Sequence, residues 1–262
     1  MTKINTPSEA ELIVQKLPSD MGIHRNPRKG TIKAAETLLN DFEFGQNVLV
    51  EEIFPDEFDL EETHRRIEKN TETLLEYRRP LMSIGGDHSV SFPVIKALKD
   101  KYPDMKLIWL DSHLDVKKKV KNHVSHDVVI RELLENGFTD EDIYLVGITR
   151  IDSDEQKFLE EHELNMYRSD EVEEFLREFN SSKQPVYLSI DIDVLKEQIA
   201  PGTGYPDGEL ETDQVKQIIN TTAPDFADIV EVAPPFDKDG KTVKAGREIL
   251  KNLANNLAKT PE

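Results

Sequence analysis

The chain has 262 residues, 37% hydrophobic and 32% charged, with a formal net charge of −19 and a sequence pI near 4.8. That acidic balance argues against nucleic acid and anionic membrane as partners, and suits either a solvated acidic surface or the steering of a cationic substrate. It contains no cysteine, which excludes disulfides, thiolate chemistry and cysteine-based zinc sites.

No apolar run reaches membrane length, and Met1 to Glu9 lack the apolar core of a signal peptide, so a soluble cytoplasmic protein is expected. Residues 1–26 read as a polar, turn-rich N-terminal extension. Helical periodicity runs from Thr31 to Asn40, followed by a strand over Asn47 to Ile53 and an amphipathic helix over Asp59 to Tyr77. A short buried strand, Pro80 to Ile84, leads into Gly85-Gly86-Asp87-His88-Ser89 and a helix over Phe92 to Lys101. The apolar run Leu107 to Leu110 reads as a buried strand of a parallel sheet, and a basic loop, Lys117 to Lys121, lies just beyond it.

A helix is expected over His126 to Asn136, a strand over Ile143 to Ile148 and a helix from Ser153. A helix over Asp170 to Phe179, a strand over Val186 to Ile190 and a helix over Thr212 to Thr222 follow. Asp228 to Val232 is the last strand and Thr242 to Leu257 the closing helix. Strands and helices alternate without a long linker or repeat. The pattern predicts one α/β domain over residues 1–262, a three-layer α/β/α sandwich on a mostly parallel central sheet.

The polar clusters fall at the carboxyl ends of the predicted strands, where open parallel sheets bind ligands. His88 follows one strand, Asp111, His113 and Asp115 a second, Asp191 and Asp193 a third, and Glu231 ends a fourth. In extended chain, residues at i, i+2 and i+4 point to one side, so Asp111, His113 and Asp115 would converge on one spot. A lone aspartate there reads as a cap or turn residue. Four clustered carboxylates without cations would repel and take up protons. Four aspartates and two histidines exceed one tetrahedral zinc and fit two divalent ions bridged by shared carboxylates and a solvent molecule.

Gly85-Gly86-Asp87-His88-Ser89, Asp111-Ser112-His113-Leu114-Asp115 and Ser189-Ile190-Asp191-Ile192-Asp193 with Ala200-Pro201-Gly202-Thr203-Gly204 resemble the three signatures of the ureohydrolase family. That family comprises arginases, agmatinases and formimidoylglutamases, and the resemblance runs from about residue 27 to 255. It implies an arginase-like fold and two Mn2+ per chain. One ion would take His88, Asp111, Asp115 and Asp191, and the other Asp111, His113, Asp191 and Asp193. It further implies that Glu231 salt-bridges the substrate guanidinium, that His126 shuttles protons and that Asp115 assists at the reacting centre. Asp152, with Glu155, matches a stretch that meets the substrate's amino group, and otherwise reads as a helix N-cap.

Three departures stand out: Ser112 for alanine, Asp127 for the glycine after the histidine, and Lys196-Glu197 for Asp-Pro. Asp127 would raise the pKa of His126, and His123 competes for the proton-shuttle role. The reaction implied is hydrolysis of a guanidino carbon–nitrogen bond to urea and an amine, with agmatine favoured over arginine, a guanidino acid or formimidoylglutamate. The loop Lys117 to Lys121 would grip a carboxylate tail if one is present. The rivals are a catalytically inactive, metal-retaining subunit and an acidic cation-binding scaffold. Family members are usually trimers or hexamers, so a homo-oligomer is expected.

Overall fold

The computed structural model describes residues 7–23, 28–180 and 184–257. Its strands are β1 (Leu12–Lys16), β2 (Val48–Glu52), β3 (Leu81–Ile84), β4 (Lys106–Leu110), β5 (Ile143–Ile148), β6 (Asn165–Arg168), β7 (Val186–Asp191) and β8 (Phe226–Val230). The helices are α1 (Ala34–Leu39), α2 (Leu60–Leu75), α3 (Ser91–Lys101), α4 (Val129–Glu135), α5 (Ser153–Leu159), α6 (Val172–Glu178), α7 (Thr212–Thr222) and α8 (Lys241–Leu257). All strand pairs are parallel, in the order β2-β1-β3-β8-β7-β4-β5-β6.

A parallel sheet covered on both faces alternates its apolar side chains between two cores. In β4, Ile108 and Leu110 join one apolar cluster while Leu107 and Trp109 join the other. The first cluster collects α1, α6, α7 and α8, and the second α2, α3, α4 and α5. This is the three-layer α/β/α sandwich that the alternating pattern predicts.

The reading of residues 1–26 as an extension is corrected by β1. Leu12, Ile13 and Val14 are fully buried, and the strand is hydrogen-bonded between β2 and β3. Three apolar residues flanked by Glu11 and Gln15 are too short a run to announce an interior strand. Gln15 is tolerated inside because its amide meets Thr71 at 3.3 Å and accepts from Ser83 at 3.2 Å. Residues 1–6 and 24–26 of that stretch lie outside the described residues. The edge strand β6 is also absent from the sequence reading, because Asn-Met-Tyr-Arg is half-exposed and carries no apolar run.

The four strands β3, β8, β7 and β4 are neighbours at the centre of the sheet. Their carboxyl ends therefore lie side by side, although the segments that follow them are far apart in sequence.

Candidate active site

The strand ends are built with one repeated local device. An aspartate leaving the strand accepts a hydrogen bond from the backbone N–H two residues on. Ser89 N donates to Asp87 at 2.9 Å, His113 N to Asp111 at 2.7 Å, and Asp193 N to Asp191 at 2.7 Å. These Asx turns fix each carboxylate before any tertiary contact is made. Asp115 and Glu231 both have positive φ, 52° and 61°. Such backbone is disfavoured for residues with a Cβ and is held in place by the surrounding structure.

The side chains meet as the sequence pattern requires. His88 Nδ1 lies 3.0 Å from Asp111, 3.3 Å from Asp191 and 3.5 Å from Asp115. His113 Nδ1 lies 3.1 Å from Asp193 and 3.3 Å from Asp111. Among the described residues, two groups place single ligand atoms within 4.8 Å of one another: His88, Asp111 and Asp191, and Asp111, His113 and Asp193. Asp111 belongs to both. Glu231 stands beside them, accepting from the backbone N–H of His88 at 2.8 Å.

Electrostatics make this cluster a poor place for bare carboxylates. Burial pushes Asp191 and Asp115 well above the usual carboxylate range; Asp193, Asp111 and Glu231 push Asp191 further, and Asp111, Asp127 and Glu155 push Asp115 further. Asp193 is raised by burial and by Asp111, and Glu231 by burial and by Asp87. Asp111 goes the other way: burial alone would raise it, but the His113 and His88 imidazoles beside it prevail. Burial would likewise lower His113, yet the Asp193 and Asp111 carboxylates push it up to about 12. The site thus takes up protons in place of cations, as expected of clustered buried acids.

A cavity of about 140 Å³ opens above these residues, lined at its outer end by Lys117, His126, Asp127, Arg150, Asp152 and Tyr205. His126 Nδ1 meets the Gly22 carbonyl at 3.1 Å, and the Gly22 N–H donates to Asp87 at 2.8 Å. The segment after β1 is therefore part of the active-site wall. A side chain at Gly22 would collide with Ser89 and Asp87. His123 does not line the cavity. The Asp127 carboxylate accepts the Ser125 hydroxyl.

Asp152 is not presented to the cavity as a free acid. Lys117 contacts one of its oxygens at 3.0 Å and Arg150 the other at 2.8 Å, and these cations hold its carboxyl below the usual range. Its backbone N–H donates to Glu155, the capping role that the sequence also allows. Of the basic loop, Lys117 alone lines the cavity; Lys119 pairs with buried Glu132. Lys196 pairs with Glu211 away from the cavity. Ser112 differs from alanine in more than size, because its hydroxyl donates to Asp193 at 2.8 Å.

Arg150, Asp207 and Tyr205 escaped the sequence reading. The Tyr205 and His113 rings meet edge to face with centroids 5.6 Å apart, and the Tyr205 ring stacks on His126 with centroids 6.2 Å apart. Asp207 reaches Arg150 at 3.3 Å. Nothing in Gly204-Tyr205-Pro206-Asp207 marks them, since the loop after β7 brings them over the site only once it is folded.

The chain matches the Arginase family over residues 25–255. It is 33% identical over 196 residues to an agmatinase of Bacillus cereus, covering 71% of this chain and 67% of that one. An agmatinase of Bacillus anthracis is 28% identical over 267 residues, covering 94% and 91%. The fold superposes on a Trypanosoma cruzi formiminoglutamase crystal structure with Mn2+ at a TM-score of 0.87, 19% identity, and 98% and 97% coverage.

Proposed function

Because the chain belongs to the Arginase family, we propose that it is an agmatinase, a ureohydrolase that cleaves agmatine to urea and putrescine. One observation carries the reading. Six ligand-type side chains, His88, Asp111, His113, Asp115, Asp191 and Asp193, converge beneath a cavity that Glu231 also lines.

The residues fit a pair of divalent cations. His88 Nδ1 is buried without a hydrogen-bond partner and faces carboxylates on three sides. Imidazole and carboxylate oxygen together suit manganese. By the family resemblance His88, Asp111, Asp115 and Asp191 would hold one Mn2+, and Asp111, His113, Asp191 and Asp193 the other, around the two groups His88–Asp111–Asp191 and Asp111–His113–Asp193. Bound there, the two ions supply the Lewis acidity that lets a water molecule ionise near neutral pH.

The chain's own residues do the rest. Glu231 receives the planar guanidinium, whose charge replaces the proton that burial otherwise forces on it. Asp115, next to His88, manages the proton left on the attacking oxygen. His126, whose Nδ1 meets the Gly22 carbonyl, lines the cavity and as imidazolium would protonate the departing amine. Tyr205 covers the cavity beside both histidines and limits the entry of bulk water.

A second reading has a specific basis. Lys117 and Arg150 at the cavity rim offer two cations to a carboxylate tail, which favours a guanidino acid. For agmatine, Asp152 and Asp127 would face the distal ammonium.

The family resemblance also leads us to a single domain, a homo-oligomer of trimeric or hexameric form, and a cytoplasmic location; no helix among the described residues is long and apolar enough to cross a membrane. Light scattering tests the assembly. The activity is tested with manganese-loaded protein against agmatine, arginine, guanidinobutyrate and guanidinopropionate for urea, and formimidoylglutamate for formamide. Urea from agmatine above the others is expected. Two bound ions with no product from any of the five would replace the enzyme with an inactive metal-retaining subunit.

A further inference from the structure

Behind His88, on the side away from the cavity, runs a chain of buried hydrogen bonds that the chemistry above does not use. His88 Nε2 lies 2.9 Å from Ser189 Oγ. The Ser189 hydroxyl donates to Asp228 Oδ1 at 2.7 Å, and the Tyr187 hydroxyl donates to Asp228 Oδ2 at 2.6 Å. The backbone N–H of Ile190 adds a third donor to Asp228 at 3.3 Å. Ser189 and Asp228 are direct cross-strand partners on β7 and β8, and Ser189, Asp228 and Tyr187 are 0–1% exposed.

Proton counting gives this chain a direction. An ionised carboxylate only accepts, and a serine hydroxyl has one proton to give. With that proton committed to Asp228, Ser189 Oγ has only lone pairs left for His88. Nε2 of His88 must then carry the hydrogen, which leaves Nδ1 as a bare lone pair. Nδ1 is the atom that faces Asp111 and Asp191. The ring plane is fixed as well, stacked on Trp109 at 3.7 Å with an interplanar angle of 5°. His113 has no such support. Its Nε2 looks toward Asp207, 3.7 Å away at a half-open rim.

We propose that Asp228 is a positioning residue that acts through Ser189 to select the Nε2–H tautomer of His88, and so sets the divalent-cation affinity of the His88–Asp111–Asp191 subsite. The inference rests on the metal reading above. Partners that orient a ligating histidine typically contribute 10- to 100-fold in metal affinity.

The test is a manganese titration of the metal-free protein, following free Mn2+ by electron paramagnetic resonance. It compares wild type with Ser189→Ala, Ser189→Thr, Asp228→Ala and Tyr187→Phe. Wild type is expected to take up two ions. Ser189→Ala and Asp228→Ala are expected to weaken one of them by roughly 10- to 100-fold and leave the other unchanged. In Asp228→Ala the Ser189 hydroxyl loses its acceptor, so its proton is free to turn to His88 Nε2 and favour the wrong tautomer. Ser189→Thr keeps the hydroxyl and is expected to bind both ions. Tyr187→Phe removes a donor from Asp228 but leaves the path to His88 intact, so it too should bind both.

If Asp228 only ties the two strands together, Ser189→Ala and Asp228→Ala bind both ions as wild type does, or Tyr187→Phe loses the same ion. Either result overturns the proposal. A wild-type protein that binds no manganese removes the metal reading itself, which is a separate and distinguishable failure. Should Asp228→Ala not fold, the Ser189→Ala and Ser189→Thr pair decides alone.

Discussion

The imidazole of His113 and the carboxylate of Asp193 meet at 3.1 Å, Nδ1 to Oδ2, at the edge of a cluster whose remaining acids are buried against one another. In the metal-free protein this contact makes His113 a resident cation, with its pKa pushed up to about 12. On the metal reading, the same nitrogen would ligate a divalent ion that displaces that proton.

A pH dependence follows from the signs. His113, raised above its unfolded value of about 6.5, contributes stability that is complete below that value and lost as pH rises through about 12. Asp115, Asp191, Asp193 and Glu231 are raised too, so the fold favours their protonated forms. Their contribution is complete below about pH 4 and is lost as pH climbs toward their folded values. Asp111 alone is lowered, and its contribution is present above about pH 4 and lost in stronger acid. Metal-free protein should therefore melt at progressively lower temperature from pH 5 to pH 9. Manganese should restore stability increasingly with pH, by about 2.7 kcal/mol per ion at a hundredfold excess over Kd. Melting curves with and without manganese check this; a manganese effect largest at pH 5 would contradict it.

Removing a ligand separates metal binding from folding. Asp191→Ala and His113→Ala should bind fewer than two ions and lose activity with the fold retained. Asp191→Ala also relieves carboxylate repulsion. Lys118, outside the active-site cavity, should tolerate alanine with activity intact. Metal analysis and far-ultraviolet circular dichroism on the same samples decide the matter. Equal stability loss without a metal deficit would sink the assignment.

His126→Asn keeps a polar group near Gly22 but has no proton to shuttle. Turnover should fall roughly 10²- to 10⁴-fold with both ions still bound. Steady-state kinetics and metal content are the measurements, and unchanged kcat would return the role to another group.

Lys117→Ala distinguishes the two substrate tails by direction. If the tail is an ammonium, freeing Asp152 from Lys117 should lower KM for agmatine. For a guanidino acid, kcat/KM should drop instead. A partly exposed ion pair contributes up to about 1 kcal/mol, so a change of roughly fivefold either way is expected.

Ile13→Ala tests the placement of β1. A fully buried isoleucine truncated to alanine costs about 2–5 kcal/mol. In a surface extension the same change would be nearly silent. Chemical denaturation of the variant gives the answer.

Most of the chemistry was legible in the chain alone. Aspartates and histidines just past apolar runs identify the candidate ligands, because strand periodicity and the short Asx turns at Asp87, Asp111 and Asp191 are local properties. The alternation of strands and helices likewise determined the α/β/α class. Other features depend on contacts between distant segments, which no local pattern encodes. The burial of Leu12 to Val14 depends on β2 and β3 closing over it from both sides. Asp152 reads as a substrate acid until Lys117, 35 positions earlier, reaches it along with Arg150. Tyr205 gains a role only when the loop after β7 returns over His113 and His126. Asp228, a lone acid in an apolar strand, acquires its partners from the register of β7 on β8. Local sequence determined which side chains could bind a cation; tertiary pairing decided their partners, because charge compensation and tautomer depend on groups that only the fold brings within hydrogen-bonding distance.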